Sequence, residues 1–135
     1  MRITRAQRAD LLGMFDGKCA YCGIELPLKG WHADHVEPVA RELKFARDKN
    51  DRTVMVPTGR LYRPENDRLD NLMPSCAPCN IDKSGLSLED WRKRLSDLAE
   101  NLRRNSSTFR HAERFQRVSV VTSPVEFWFE RYGTK

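Results

Sequence analysis

Apolar residues recur along the chain in short runs whose spacing predicts short helices and short strands, an α+β pattern. Near the start, Thr4 and Gln7 match a helix capping box, and apolar residues follow at helical spacing as far as Phe15. Gly17 then marks the end of this predicted helix. Residues 31–36 alternate partly between apolar and polar positions, which predicts a strand.

The second half of the chain predicts three more helices followed by a pair of strands. Residues 77–84 show a helical pattern that Gly85 is expected to end. A helix start signal opens the range 87–104, which carries an apolar face, and a further short helix covers about 108–116. Residues 118–130 alternate on either side of a Ser-Pro turn, which predicts a C-terminal β-hairpin.

A long polar segment, residues 40–68, separates the first predicted strand from the second half of the chain. Apolar residues on both sides of Thr58 and Gly59 predict a small hairpin with its turn at that pair. Two interpretations of the segment stay open. In the first, the segment contacts DNA. In the second, it is a surface insertion without a role, which is possible because long insertions cost little free energy.

Composition excludes several classes of protein. The 135 residues and 39% hydrophobic content predict one domain with a small core. Apolar runs are far shorter than the roughly 18 residues of a membrane-spanning helix, so no membrane partner is expected. No apolar stretch follows the basic residues at the start, so no signal peptide is expected and the cytoplasm is the predicted location.

The charge distribution points to a basic stretch in the second half of the chain. The net charge is +5, and residues 91–118 alone carry eight basic and three acidic side chains, also +5. This stretch is either a solvated helix face or a surface that contacts phosphates, and sequence favours neither interpretation over the other.

All four cysteines occur in two Cys-x-x-Cys pairs, Cys19 with Cys22 and Cys76 with Cys79. In a reducing compartment, this arrangement predicts a tetrahedral zinc site of four thiolates rather than two disulfides or a redox dithiol. Such a zinc is structural, because four protein ligands leave no coordination position for water. The pairs are 53 residues apart, so the metal is expected to join the two ends of a long inserted segment.

Further polar residues lie between and beside the cysteine pairs in a specific order. In chain order they are Asp34, His35, Asn71, Leu72, Asn80 and Lys83. Together with the flanking cysteine pairs, this set resembles the HNH endonucleases over roughly residues 15–85, and most of all the small stand-alone members of phages and prophages. The chain departs from the commonest pattern because Asn80 stands in the place of a histidine, as in an H-N-N variant, and because the stretch from His35 to Asn71 is long.

The resemblance implies an α+β fold with a ββα-metal core. This core is expected to be clamped by the four-cysteine zinc site and flanked by helices and the C-terminal β-hairpin. Residues 1–86 then form the nuclease domain with its N-terminal helix and zinc knuckles. Residues 87–135 form a helical arm and hairpin packed on the same domain.

The resemblance also implies roles for the site residues. Asp34 and Asn80 hold a catalytic Mg²⁺ or Mn²⁺, His35 takes a proton from the attacking water, Asn71 braces the loop that carries His35, and Lys83 contacts a phosphate. The chemistry agrees, because a neutral imidazole suits a general base at neutral pH. Carboxylate and amide oxygens suit hard cations, so an asparagine favours Mg²⁺ or Mn²⁺ over zinc or nickel.

The expected substrate is double-stranded DNA, and one active site is expected to cut one strand. A homodimer, or a phage packaging protein such as a terminase, is the further partner that the resemblance implies. The main alternative is a zinc-containing module that binds nucleic acid without catalysis. A nuclease that acts on RNA is a weaker alternative.

Overall fold

The computed structural model describes residues 1–132, which form a mixed α+β structure with two separate two-stranded antiparallel sheets. Two single 3-10 turns, Pro64–Asn66 and Leu69–Asn71, precede the last strand. The other elements, in chain order, are α1 (Arg5–Gly13), β1 (His32–His35), β2 (Arg41–Arg47), β3 (Thr53–Leu61), β4 (Leu72–Ser75), α2 (Ala77–Lys83), α3 (Leu88–Ser96), α4 (Leu98–Asn105), α5 (Ser107–Arg114) and α6 (Trp128–Arg131).

The predicted N-terminal helix is confirmed together with its cap. The Thr4 hydroxyl accepts a hydrogen bond from the Gln7 amide at 3.1 Å, and the Gln7 side chain accepts one from the Thr4 amide at 2.9 Å. These two bonds satisfy amides that have no partner inside the helix. Leu11 and Phe15 are buried, and Gly17 takes a positive φ of 78° in the turn that follows.

The first sheet pairs β1 with β4 and leads directly into α2. His32 lies opposite Ser75 and His35 opposite Leu72. The N-cap residue of α2 is Cys76, the residue that follows β4, so two strands and one helix form a small ββα arrangement. Helix α2 confirms the prediction for 77–84. Its end differs, because the helix stops at Lys83 and Ser84, rather than Gly85, follows it with a positive φ of 50°.

The second sheet corrects the predicted position of the hairpin turn in residues 40–68. The turn lies at residues 48–52, where Asp48 Oδ1 accepts hydrogen bonds from the amides of Asn50 and Arg52, both at 2.9 Å. An aspartate that bonds to following amides fixes a turn locally. Gly59, expected in the turn, lies within β3 at a φ of 92°, near the irregular pairing of Arg41 and Leu43 with that strand.

The predicted helix over 87–104 is divided into α3 and α4 at Asp97. The Asp97 amide bonds to carbonyls three and four residues back, so the last turn of α3 tightens at the point where the two helices meet. Trp91 on α3 is 2% exposed, whereas Leu98 on α4 is 46% exposed. Helix α5 confirms the second short helix expected near 108–116.

The predicted C-terminal β-hairpin is wrong, because the described part of residues 118–130 contains no strand and ends in α6. Phe127 is 2% exposed and stacks on Trp91 at a centroid distance of 5.1 Å. The amides of Trp128 and Phe129 donate to the carbonyls of Tyr21 and Ala20 at 2.9 and 2.8 Å. The first two amides of α6, rather than a second strand, therefore tie this end of the chain to the first cysteine loop.

One aromatic cluster joins the two halves of the chain. Tyr21 meets Trp91 edge-on at 5.1 Å and Phe127 at 5.8 Å, and Leu72 and Trp31 belong to the same buried cluster. The core thus draws residues from both stretches, 1–86 and 87–132. Among the described residues, no helix has the length and apolar character needed to cross a membrane.

Replacing Phe127 by alanine is expected to lower the free energy of unfolding by about 3–5 kcal/mol, because a large buried ring is removed from the centre of this cluster. Phe115 is the matched control, since its ring is 72% exposed and its loss is expected to cost within about 0.5 kcal/mol. Urea denaturation of Phe127→Ala and Phe115→Ala measures both values. Equal effects would contradict the C-terminal packing described above.

Candidate functional site

The four cysteines meet in one cluster although the two pairs are far apart in sequence. Their Sγ atoms all lie within 4.8 Å of one another. In the first loop, the Cys19 amide bonds to the Ile24 carbonyl and the Gly23 amide to the Cys19 carbonyl. Gly23 has a φ of 79°, and a Cβ there would lie 2.7 Å from the Trp128 ring, so only glycine fits.

The geometry of the sulfur atoms fits a tetrahedral metal. Cys22 Sγ lies 3.8 Å from Cys76 Sγ, and Zn–S bonds of about 2.3 Å place two ligands of a tetrahedron about 3.8 Å apart. Within residues 1–132 all four cysteines are free thiols, so no disulfide competes for them. Cys19, Cys22, Cys76 and Cys79 are therefore positioned to bind a metal, as predicted, and a structural metal such as zinc fits the donor set.

Local hydrogen bonds favour the thiolate form in part of this cluster. The Cys79 thiol donates a hydrogen bond to Cys19 Sγ, and this bond lowers the pKa of Cys19 to about 4. The amides of Tyr21 and Cys76 also donate to Cys19 Sγ, both at 3.4 Å. By contrast, burial raises the pKa of Cys22 to about 11. A bound cation compensates for the charge that crowded thiolates bring together.

Asp34 lies at the centre of the ββα arrangement and is 9% exposed. The Tyr21 hydroxyl donates to Asp34 Oδ2 at 2.6 Å, and Lys83 Nζ lies 3.3 Å from the same oxygen. Burial, followed by the charge of Asp34, raises the pKa of Tyr21 above its ordinary value, so the hydroxyl keeps its proton. Both donors use Oδ2, so Oδ1 is the oxygen that remains for another ligand.

Lys83 lies where a phosphate cannot reach it. The side chain is 1% exposed, and Nζ also donates to the His35 carbonyl at 2.9 Å. The phosphate contact expected of Lys83 is therefore corrected, because its ammonium group is used to hold Asp34 and the end of β1. A buried cation is tolerated only with such compensating partners.

His35 is held by an aspartate that the sequence did not single out. His35 Nε2 lies 2.8 Å from Asp67 Oδ1, and Asp67 Oδ2 lies 2.6 Å from the Met1 amine. The amine, followed by His35, lowers the pKa of Asp67, so its carboxylate stays charged. An acceptor at Nε2 selects the tautomer that carries the proton there, which leaves Nδ1 as the basic nitrogen.

Asn71 connects the segment after β1 with the start of β4. Its Oδ1 accepts from the Glu37 amide at 3.0 Å, and its Nδ2 donates to the carbonyls of Glu37 and Asn66 at 2.9 and 2.8 Å. The Asn71 carbonyl also accepts from the Val36 amide. These bonds hold the segment after His35 against the residues just before β4.

Asp34, His35 and Asn80 border one cleft of about 630 Å³. Asp34 and His35 are neighbours on β1, and both reach the cleft because the strand ends at His35 and turns away. Asn80 lies on the side of α2 that borders the cleft, and it is half-buried. In the part of the chain that the structure describes, the Asn80 side chain forms no hydrogen bond, so its amide is available to a ligand.

Comparison of the chain with known proteins gives no relative from which a function could be inferred. No protein-family model, no curated protein and no solved structure matches the chain. The HNH resemblance thus stays a prediction that rests on the motif and on the geometry above.

The sequence did not reveal two residues of the site, Tyr21 and Asp67. Tyr21 was hidden as an unspecified position of the first cysteine pair, and Asp67 has no local signal.

Replacing Cys22 by serine is expected to abolish stoichiometric zinc binding and to cost about 4 kcal/mol or more in stability, because the loops that carry the core aromatics lose their link. Atomic emission spectrometry of the purified chain, with thermal denaturation, gives both quantities. Ile24→Ser in the same loop is the control, since Ile24 is 51% exposed and offers no ligand atom. A fully zinc-loaded Cys22→Ser variant would refute the four-cysteine site.

Replacing Asp67 by asparagine is expected to reduce stability above pH 4 and to have a vanishing effect in stronger acid. The folded state lowers the pKa of Asp67, so its contribution is complete above the ordinary aspartate pKa and is lost as the pH falls through the folded value. Urea denaturation between pH 3 and 6.5 measures the difference from the wild type at each pH. The control is Asp10→Asn, on the exposed surface of α1. A difference that does not depend on pH would contradict the role of the Asp67 charge.

Proposed function

We propose that the protein is a metal-dependent DNA endonuclease of the HNH type that hydrolyses phosphodiester bonds and nicks one strand per active site. The observation that carries the proposal is the meeting of a carboxylate, an amide and an imidazole, from Asp34, Asn80 and His35, at one cleft. This donor set matches the needs of phosphodiester hydrolysis, namely a cation site and a base.

His35 acts as the base in this mechanism. With its Nε2–H directed to Asp67, the imidazole accepts the proton of the attacking water at Nδ1. The Asp67 carboxylate, 2.8 Å from Nε2, holds the ring in this orientation. Asn71 keeps the segment after His35 in place through its bonds to the Glu37 backbone.

Asp34 Oδ1 and the Asn80 amide oxygen are the atoms that would hold a catalytic Mg²⁺ or Mn²⁺. When bound, such an ion neutralises negative charge on the scissile phosphate and on the leaving oxygen. Tyr21 and Lys83 orient Asp34 by binding its other oxygen. The cleft offers hard oxygen ligands, whereas the cysteine cluster offers soft sulfur ligands. We therefore propose two chemically distinct metal sites in one small protein.

The proposed substrate is double-stranded DNA in the cytoplasm, cut to 5′-phosphate and 3′-hydroxyl ends. A chain with one such cleft nicks, and a double-strand break requires two events or two copies. The proposed context is a phage or prophage, with a packaging protein such as a terminase as a further partner. The alternative, a zinc-containing module that binds nucleic acid without catalysis, predicts DNA binding without strand scission.

Nicking of a supercoiled plasmid tests the proposal. The zinc-loaded wild type is expected to produce nicked circles with added Mg²⁺ or Mn²⁺ and none without an added divalent ion. His35→Ala is expected to slow nicking at least about 100-fold, the usual contribution of a general base. Because EDTA would also remove zinc, the metal-free arm uses buffer without added divalent ions.

His111→Ala is the matched control, because His111 is an exposed histidine on α5, away from the cleft residues. It is expected to nick at the wild-type rate. Folded, zinc-loaded wild type that cuts neither DNA nor RNA with any divalent ion would refute the nuclease and favour the binding module. Cleavage of RNA in preference to DNA would instead identify an RNA-directed enzyme.

A further inference from the structure

The antiparallel pair β2–β3 with its turn, residues 41–63, forms a ribbon whose residues are largely exposed; we call it the basic ribbon. It carries seven basic and three acidic residues, a net charge of +4. Its base reaches the candidate active site, because Arg41 and Leu43 border the same cleft as His35. Strands of this length extend roughly 23 Å at about 3.3 Å per residue.

The stretch that looked most basic in sequence, residues 91–118, is partly neutralised in the fold, because half of its eight cations form ion pairs. Four of its cations form ion pairs at 2.8–3.2 Å: Arg92 with Glu89 and Glu130, Lys93 with Asp97, Arg94 with Asp82, and Arg103 with Glu100 and Glu113. Three of these carboxylates, those of residues 82, 89 and 130, come from outside the stretch. They reduce its local excess from +5 to +2.

The basic ribbon keeps more of its charge free. Within residues 1–132, five of its cations form no ion pair and are exposed: Arg41, Lys44, Lys49, Arg52 and Arg63. The other two, Arg47 and Arg60, face carboxylates of the ribbon itself at 3.9 and 3.4 Å. Of the two basic surfaces, the ribbon therefore attracts a polyanion more strongly, with a local excess of +4 against +2.

One face of the basic ribbon is apolar and uncovered. Phe45 is 75% exposed, and Leu43 and Met55 are 48% and 50% exposed. The register places Phe45 opposite Met55, and the pair Leu43 and Pro57 follows on the same face. Phenylalanine, leucine, methionine and proline are the side chains that proteins insert between base pairs from the minor groove.

We propose that the basic ribbon enters the minor groove of double-stranded DNA and wedges Phe45 between neighbouring base pairs, while its free cations contact the phosphates on either side. The proposal rests on the proposed function in placing this groove beside the scissile bond. The occupant is DNA rather than a second copy of the chain, because two copies would bring two surfaces of charge +4 together. A wedge of this kind bends the duplex.

DNA bending tests the wedge. The zinc-loaded full chain is added, without divalent ions, to a 30-base-pair duplex with a donor and an acceptor dye at its ends. The wild type is expected to bind and to raise the energy transfer. Phe45→Ser is expected to bind roughly tenfold more weakly, as for the loss of one stacking contact, and to leave the energy transfer at its free-DNA value. Leu28→Ser, at a residue that is 88% exposed, is the control and is expected to behave as wild type.

The salt dependence of binding tests the phosphate contacts. The double variant Lys44→Gln, Lys49→Gln is expected to reduce the slope of log affinity against log salt by about 0.9 for each lost contact. Lys29→Gln, an exposed lysine outside the basic ribbon, is expected to leave the slope unchanged.

Three outcomes would overturn the ribbon proposal: no binding of the duplex by wild type, binding and bending by Phe45→Ser equal to wild type, or a wild-type dimer that Phe45→Ser makes monomeric. Because this assay involves no cleavage, it separates the two proposals. Phe45-dependent bending without nicking refutes only the nuclease. Nicking with bending that does not depend on Phe45 refutes only the ribbon.

Discussion

The four-cysteine cluster is the constraint on which the candidate site depends. It brings together two loops that are 53 residues apart, and bonds from its four sulfur atoms to a metal would offset the entropy that closing a loop of that length costs. Each loop then delivers one part of the site. Tyr21, inside the first loop, reaches Asp34, and Cys76, in the second, starts the helix that carries Asn80. The cluster therefore orders the cleft without lining it.

Burial of charge explains why the cleft has one defined geometry. Lys83 and Asp34 are a cation and an anion removed from water, so each depends on the other and on the Tyr21 hydroxyl. With Oδ2 held by two donors, the carboxylate has little freedom to rotate. The orientation of Oδ1 is thus fixed by the protein itself, as the proposed metal site requires.

Local signals in the sequence predicted local structure, but they did not predict contacts between residues that are distant in the chain. The Thr4–Gln7 cap and the cysteine pairs act over a few residues, and both are present as expected. Phe127 is buried just before α6, and the first two amides of that helix bond to the carbonyls of residues 20 and 21, a pairing that no local pattern reveals. Asp67 reaches His35 across 32 residues in the same way.

The distribution of charge on the folded surface also differs from the distribution along the sequence. A window of residues counts the charges that follow one another, whereas a polyanion meets the charges that share a surface. The basic ribbon also exposes Phe45 with little gain for its own folding, since beyond the cross-strand pairing with Met55 a two-stranded sheet is stabilised by covering its apolar face, and this face is uncovered. An uncovered ring on a ribbon with free cations is therefore better explained by what the ribbon binds than by how it folds.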